Sequence, residues 1–494
     1  MSTDHPSVRM FPRMQAALVA RTLGIFLVLF SAALLPPLAV ALLYSDGEAD
    51  HFALSLLVSL AVGLMLWLPT LKYHQAMRNH DGFVIVAMLW VAMSLLGSLP
   101  LMIGIGLDPA DAVFESVSAF TTTGATVIVG LDDLPPSILF FRQEMQWLGG
   151  IGFVVSAIAL LPMLGVGGMQ LMRAETPGPM KDDKLTPRIA HTARALWILY
   201  LSITSVCALL YWIAGMTPFD AIAHSLTTVS TGGFSTHDAS LAYFDSLFIE
   251  GIATVFMLIG GISFSVHYLV WQRISLRPYW DSPEVRAFLA VVLGVVLIAT
   301  LVLYLEGAKA SPGEALRYSA FTVASVITST GFGIDDFSVW PTLLPMLLIF
   351  ISFVGGCAGS TAGGMKVIRF VVLGKQVGIE LRRLVHPSHV QPLLVGRQVI
   401  KNRTLEAVWA FFGLYVGTFV VFMMALMTLG MDAITAFGSV ATCMNNLGPG
   451  LGETAGNFAT VSDPQKWICA LAMLLGRLEI FTLLVLLTPG FWRD

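Results

Sequence analysis

Apolar runs of about twenty residues recur along the chain, at 17–44, 52–70, 83–106, 137–163, 195–215, 247–271, 286–305, 341–374, 405–430 and 465–488. A bilayer core about 30 Å thick takes about twenty helical residues at 1.5 Å each, so each run predicts a membrane-spanning helix. The gaps between the runs alternate in charge. Even-numbered gaps such as "LKYHQAMRNH", "RAETPGPMKDDKLTPRIAHTAR" and "GKQVGIELRRLVHPSHVQPLLVGRQVIKNR" hold most of the Lys and Arg, whereas odd gaps such as "SDGEAD" and "LDPADAVFES…GLDDLPP" are acidic. Basic loops stay in the cytoplasm, so both termini are expected there. An even number of crossings puts both termini on one side, in agreement with the charge bias.

Four of the acidic gaps carry a second pattern, a semi-apolar segment of about twelve residues at 111–122, 219–230, 315–328 and 432–444. As helices these are about 18 Å long, too short to cross. Each starts near Asp111, Asp220, Glu314 or Asp432 and runs into a small polar tail: "TTTGAT" (121–126), "VSTGGFS" (229–235), "TSTGFG" (328–333) and "NNLGPG" (445–450). The key glycines Gly124, Gly232, Gly331 and Gly448 recur at intervals of about 100–120 residues, a period that marks a repeated unit. Free backbone at this depth must be buried in protein or line water.

The expected fold is an all-α integral membrane protein of ten transmembrane helices. Four span–pore-loop–span repeats surround a central pore, with two peripheral N-terminal helices outside them. The divisions fall at 1–80 (the peripheral pair), 81–175, 176–280, 281–395 and 396–494. Four converging tails would stack rings of backbone carbonyls, which replace the hydration shell of a cation. Glycine permits the backbone angles this needs, and the negative ends of the short helices favour a cation at the same place. Asp108, Asp111, Glu115, Asp132, Asp133, Asp238, Asp335 and Asp336 are expected to concentrate cations on the outer side.

Composition narrows the classes. Of 494 residues, 56% are hydrophobic and 12% charged, against about 25% charged in soluble domains. The net charge of −4 gives no basis for binding nucleic acid. The first run is too long for the apolar core of a signal peptide, and "DHPSVRMFPRMQ" before it is a short basic arm. Cys207, Cys357, Cys443 and Cys469 form no CxxC pair, and His386 and His389 have no carboxylate or cysteine nearby to complete a metal site. The histidines of "HTAR" and "STHD" read as loop residues. No nucleotide loop, hydrolase motif or HExxH is present, so neither an enzyme nor a covalent cofactor is expected.

Two features point to a gate. The run 341–374 would make a helix about 50 Å long, and "GGCAGSTAGG" (355–364) offers the break, with Gly355, Gly356, Gly359, Gly363 and Gly364. It reads as a loop obstructing the pore below the third tail, or alternatively as a close helix crossing. "GGIG" (149–152) and "GVGG" (165–168) read as packing or a bend. Arg477 falls near the centre of the last run, where a charge costs about 2.5–3.5 kcal/mol and defaults to a functional role. It either raises a barrier in the pore or pairs with another span; Glu479, two residues on, is no local partner. Lys366 and Arg369 are expected to snorkel to the cytoplasmic side.

"FESVSAFTTTGATVIVGLDDLP", "GVGGMQLMRAETPGPMKDDKLTPRIA", "GGFSTHDAS", "GGCAGSTAGGMKVIR" and "GRLEIFTLLVLLTPGFWR" together resemble the TrkH-type potassium-uptake subunits of bacteria, over essentially the whole chain. That superfamily includes KtrB and the plant and fungal Trk/HKT transporters. The resemblance implies a homodimer in the inner membrane, each protomer with its own pore, docked on a cytoplasmic TrkA-type subunit that binds the nucleotide. It implies that potassium, the transported ion, is held by carbonyls of Thr122 and Thr123, Ser230 and Thr231, Ser329 and Thr330, and Asn446 and Leu447. Serine at the first filter glycine goes with sodium permeation in the superfamily; Gly124 therefore implies potassium preference. The fourth tail, which departs from T-x-G, has the family's own form. The family has an intramembrane loop at the 355–364 position and an arginine at that of Arg477. The alternative to channel-like passage is a carrier coupling potassium to protons or sodium. Carriers show inverted two-fold repeats with midplane acids, whereas this repeat is four-fold and parallel.

Overall fold

The computed structural model describes residues 16–72, 79–164, 185–388, 390–396 and 398–492. The basic arm, "GVGG" and His389 lie outside them. Among the described residues the chain is almost wholly helical, with one two-stranded antiparallel hairpin pairing Leu394–Val395 with Gln398–Val399. Among the described residues, six helices are long and apolar enough to cross a membrane: Ala16–Tyr44, Ala49–Thr70, Asp81–Ile103, Arg194–Ile213, Pro283–Leu305 and Asn402–Thr428. The first has an irregular turn between Ala32 and Leu35, just ahead of Pro36 and Pro37. Pro136–Leu164 occupies another of the apolar runs.

Three runs are broken. Leu344–Val354 and Val367–Val385 flank the glycine-rich stretch, as its composition predicts. The runs 247–271 and 465–488, expected to be continuous, also bend: Leu247–Gly261 meets Phe264–Arg273 at 99°, and Asp463–Arg477 meets Phe481–Leu487 at 106°. Backbone groups freed at the first bend bond to the glycine-rich loop. Gly261 O accepts from Cys357 N at 2.8 Å, Gly260 O from Thr361 N at 3.2 Å, and Phe264 N donates to Gly359 O at 3.0 Å. At the second bend Glu479 and Ile480 both take left-handed backbone, with φ of 54° and 55°.

The four short segments form helices Pro109–Phe120, Pro218–Val229, Pro312–Ile327 and Ala433–Asn445. Proline at the first position of three of them is pre-shaped for a helix start. Side chains of Thr217, Ser311 and Asp432 cap the second, third and fourth. Their C-terminal halves are buried.

Glycines seat three of these helix ends on neighbouring spans. A methyl group added at Gly149 would lie 1.9 Å from Phe120 O, one at Gly260 3.1 Å from Val229 O, and one at Gly476 2.2 Å from Met444 O. Packing is thus the role of Gly149 and Gly150 in "GGIG". Gly149→Ala should destabilise the fold by about 1–3 kcal/mol or more, because a backbone carbonyl cannot move aside. Gly152→Ala, where a methyl meets nothing within 4 Å among the described residues, should leave the thermal unfolding midpoint in detergent unchanged.

Candidate cation pathway

The four short helices end alike. Thr122, Thr231, Ser329 and Asn446 take left-handed backbone with φ of 53°, 53°, 52° and 54°, a region non-glycine residues rarely enter. The next amide reaches back five residues: Thr123 N to Ser118 O, Gly232 N to Thr227 O and Thr330 N to Ser325 O at 2.8 Å, and Leu447 N to Thr442 O at 2.9 Å. A glycine with positive φ follows, Gly124 (81°), Gly233 (78°), Gly331 (84°) or Gly448 (99°).

The tails close on one another in a ring. A methyl at Gly124 would lie 2.3 Å from Gly232 O, one at Gly233 1.8 Å from Thr330 O, one at Gly331 2.2 Å from Leu447 O, and one at Gly448 2.9 Å from Thr123 O. Each glycine lacks a side chain where the carbonyl of the next tail comes in. Asn446 Nδ2 adds a tie from the fourth tail to the first, donating to Thr123 Oγ1 at 2.9 Å. Thr121 pairs with Thr123, and Thr328 with Thr330, through hydroxyls 2.7 Å apart. The second and fourth tails have Gly232 and Leu447 at the level of Thr123 and Thr330.

This geometry corrects the register of the second tail. "STGG" contains two glycines, and the second one, Gly233, matches Gly124, Gly331 and Gly448. Gly232 matches Thr123. Ser230 caps the helix as Thr121 and Thr328 do, so the pair equivalent to Thr122 and Thr123 is Thr231 and Gly232, not Ser230 and Thr231. Gln146 holds this tail from outside: its Nε2 donates to Gly232 O at 2.7 Å, and its Oε1 accepts from Phe234 N at 3.1 Å.

The loop containing Gly355, Gly356, Gly359, Gly363 and Gly364 lies against the same helix ends. Thr361 Oγ1 donates to Val229 O at 3.1 Å, Gly363 N to Ser329 Oγ at 2.5 Å, and Gly364 N to Asn445 O at 3.2 Å. Arg477, 2% exposed, grips the loop by donating Nη1 to Thr361 O at 2.8 Å; its Nη2 donates to Gly149 O at 3.3 Å. Lys366 and Arg369 do not snorkel. Lys366 is buried and donates to Ala362 O. Arg369 lies 4.0 Å from the Phe411 ring centroid and pairs with Glu479 at 2.5 Å. The bend in the last run turns Glu479 inward to meet it.

A family model described as "TrkH: Cation transport protein" matches residues 49–491. The chain belongs to the TrkH family. The Trk system potassium uptake protein TrkH of Vibrio parahaemolyticus is 50% identical over 97% of this chain and 100% of its own length. That of Escherichia coli K12 is 48% identical over 96% of this chain and 99% of its own. The crystal structure of the potassium transporter TrkH from Vibrio parahaemolyticus matches with a TM-score of 0.91 at 48% identity, covering 97% of this chain and 100% of that one.

In this TrkH-family chain, several acids read as an outer field are instead matched to bases. Glu115 is fully buried, with Arg142 Nη2 at 2.6 Å, and it also accepts from Thr126 Oγ1 and Val127 N. Asp111 pairs with Lys466, Asp335 with Lys309 at 2.6 Å, and Asp132 with His237 at 2.5 Å. Asp108, Asp133, Asp238 and Asp336 are exposed. Sequence reasoning passed over Arg142 and Gln146, which brace the first two tails. The signal was "FRQEMQW" (141–147), a polar cluster inside an apolar run. Arg142→Leu leaves the Glu115 carboxylate buried without its cation and should cost about 3–5 kcal/mol. Thermal unfolding checks this, and adding Glu115→Leu should recover much of the loss.

Proposed function

We propose that the chain takes up potassium across the bacterial inner membrane through a channel-like pore; its TrkH relatives are named as potassium uptake proteins. The observation carrying this reading is the four-fold register of left-handed residue, carbonyl and positive-φ glycine, in which each tail abuts the next. Potassium would be held by the carbonyls of Thr122, Thr123, Thr231, Gly232, Ser329, Thr330, Asn446 and Leu447. Ten crossings with both termini in the cytoplasm complete the arrangement. The 355–364 loop, bonded to the helix ends, closes the path, and Arg477 pins the loop while adding positive charge beneath the ring. Opening falls to a cytoplasmic TrkA-type subunit that binds the nucleotide, and the protein works as a homodimer. A coupled carrier is the second reading, supported by the three broken helices, a device of carriers.

Rubidium uptake by proteoliposomes under a potassium diffusion potential tests the transport itself. A channel carries rubidium without a proton or sodium gradient; strict dependence on either gradient selects the carrier. Gly124→Ser should weaken discrimination of potassium from sodium in the same assay, since its side chain must take a φ of 81° and enter the space of Gly232 O. Unchanged selectivity sinks the filter assignment. Arg477→Ala and a shortened 355–364 loop should each raise flux, and no change from either removes the gate.

A further inference from the structure

The junction between the first and second tails carries an ion pair built on a histidine. His237, just past the second tail, directs Nδ1 to Asp132 Oδ1 at 2.5 Å on the turn Leu131–Asp133, just past the first tail. Its Nε2 lies 3.6 Å from Asp220 Oδ1, in the first turn of the second short helix. Tyr243 stacks on the imidazole with centroids 3.5 Å apart and planes 7° apart. Two further bonds join the same turns: Asp238 N donates to Asp132 Oδ2 at 3.3 Å, and Gly130 N to Asp238 Oδ1 at 3.1 Å.

Asp220 is itself fixed, accepting from Thr236 Oγ1 at 2.8 Å and Thr217 Oγ1 at 2.7 Å. His224, whose ring centroid is 6.5 Å from that of His237, bonds Asp220 O at 2.9 Å and Ser235 Oγ at 3.0 Å. The titratable groups facing His237 are therefore Asp132, Asp220, Asp238, His224 and Tyr243. Neighbouring junctions also carry ion pairs, Arg317 with Glu250 and Asp245 between the second and third units and Lys466 with Asp111 between the fourth and first, but none of these involves a histidine. Ala242 N donates to Gly333 O and Gly333 N to Ser240 Oγ between the second and third units, and Phe458 N donates to Thr126 O between the fourth and first.

We propose that charged His237 is a positioning residue that clamps the outer turns of the first two tails together, keeping Gly124 seated against the Gly232 carbonyl. The clamp rests on the filter reading above for its effect on ions, but not for its existence. Burial pushes the His237 pKa down, yet the nearby Asp220 carboxylate and the hydrogen bond and charge of Asp132 outweigh it and hold the pKa above the ordinary value. The hydrogen bond from His237 correspondingly holds the Asp132 carboxyl below its usual range. A histidine whose pKa is raised on folding contributes fully below its unfolded value of about 6.5, and that contribution fades as pH rises through the folded value. The clamp is therefore closed below about pH 6.5 and loosens as pH rises through the raised folded value.

Two measurements on the full-length protein test this. In detergent, a double-mutant cycle of His237→Gln and Asp132→Asn is read by thermal unfolding at about pH 6 and about pH 9, on either side of the histidine range. The expected result is a coupling of a few degrees at the lower pH that disappears at the higher one; no coupling at the lower pH, or coupling unchanged at the higher, overturns the clamp. In proteoliposomes, sodium permeation relative to rubidium should rise several-fold between the same two pH values in the wild type. His237→Gln should show the high ratio at both, and His237→Arg, with a permanent charge, should show a low ratio at both. A flat wild-type profile with intact thermal coupling overturns the link to the ring. Loss of rubidium transport altogether counts against the functional reading, while the thermal cycle still decides the clamp.

Discussion

A peptide group that leaves a helix inside an apolar layer has to find its partner in protein, because lipid offers none. That constraint organises the molecule. Four helices stop partway, and each stop exposes carbonyls that the next turn cannot use. The left-handed residue after each helix folds the following amide back onto it, and the next glycine admits a carbonyl from the neighbouring tail. Glycines on adjacent spans close over the helix ends from the other side. The bends after Gly261 and Arg477 obey the same rule: the bent backbone at Gly260 and Gly261 bonds the 355–364 loop directly, and Arg477 bridges to it by side chain.

Loop and ring are consequently one hydrogen-bonded body. Thr361 touches Val229 and Gly260, Gly363 touches Ser329, and Gly364 touches Asn445. Any displacement of the loop breaks several of these bonds together, which favours two discrete arrangements over graded sliding. The Arg369–Glu479 pair joins the Val367–Val385 half of one broken helix to the bend of another, so the two breaks are mechanically tied.

Much of this was legible in the sequence, for identifiable reasons. Length and hydropathy located the helices, and shortness together with tail composition located the four partial ones to within about three residues. The glycine excess of 355–364 marked its break because no rigid helix tolerates it. What escaped depended on backbone angle or on partners distant in sequence. Gly232 and Gly233 are indistinguishable by composition; the choice between them follows from which one faces Thr330 O. The bend at 478–480 contains no glycine or proline, so nothing local announced it. Glu115 looked like a surface acid until Arg142, 27 residues on, was found beside it.

Backbone geometry around the ring is four-fold, but its side chains are not. Hydroxyl pairs brace the first and third tails, whereas the second presents Gly232, tethered by Gln146, and the fourth presents Leu447 beside the amide of Asn446. Opposite quadrants therefore resemble each other in the first and third positions, and all adjacent quadrants differ. A ring assembled from identical subunits must change every quadrant when it changes one. Here a single substitution alters one wall and leaves three, so stiffness and polarity can be adjusted separately around the same opening.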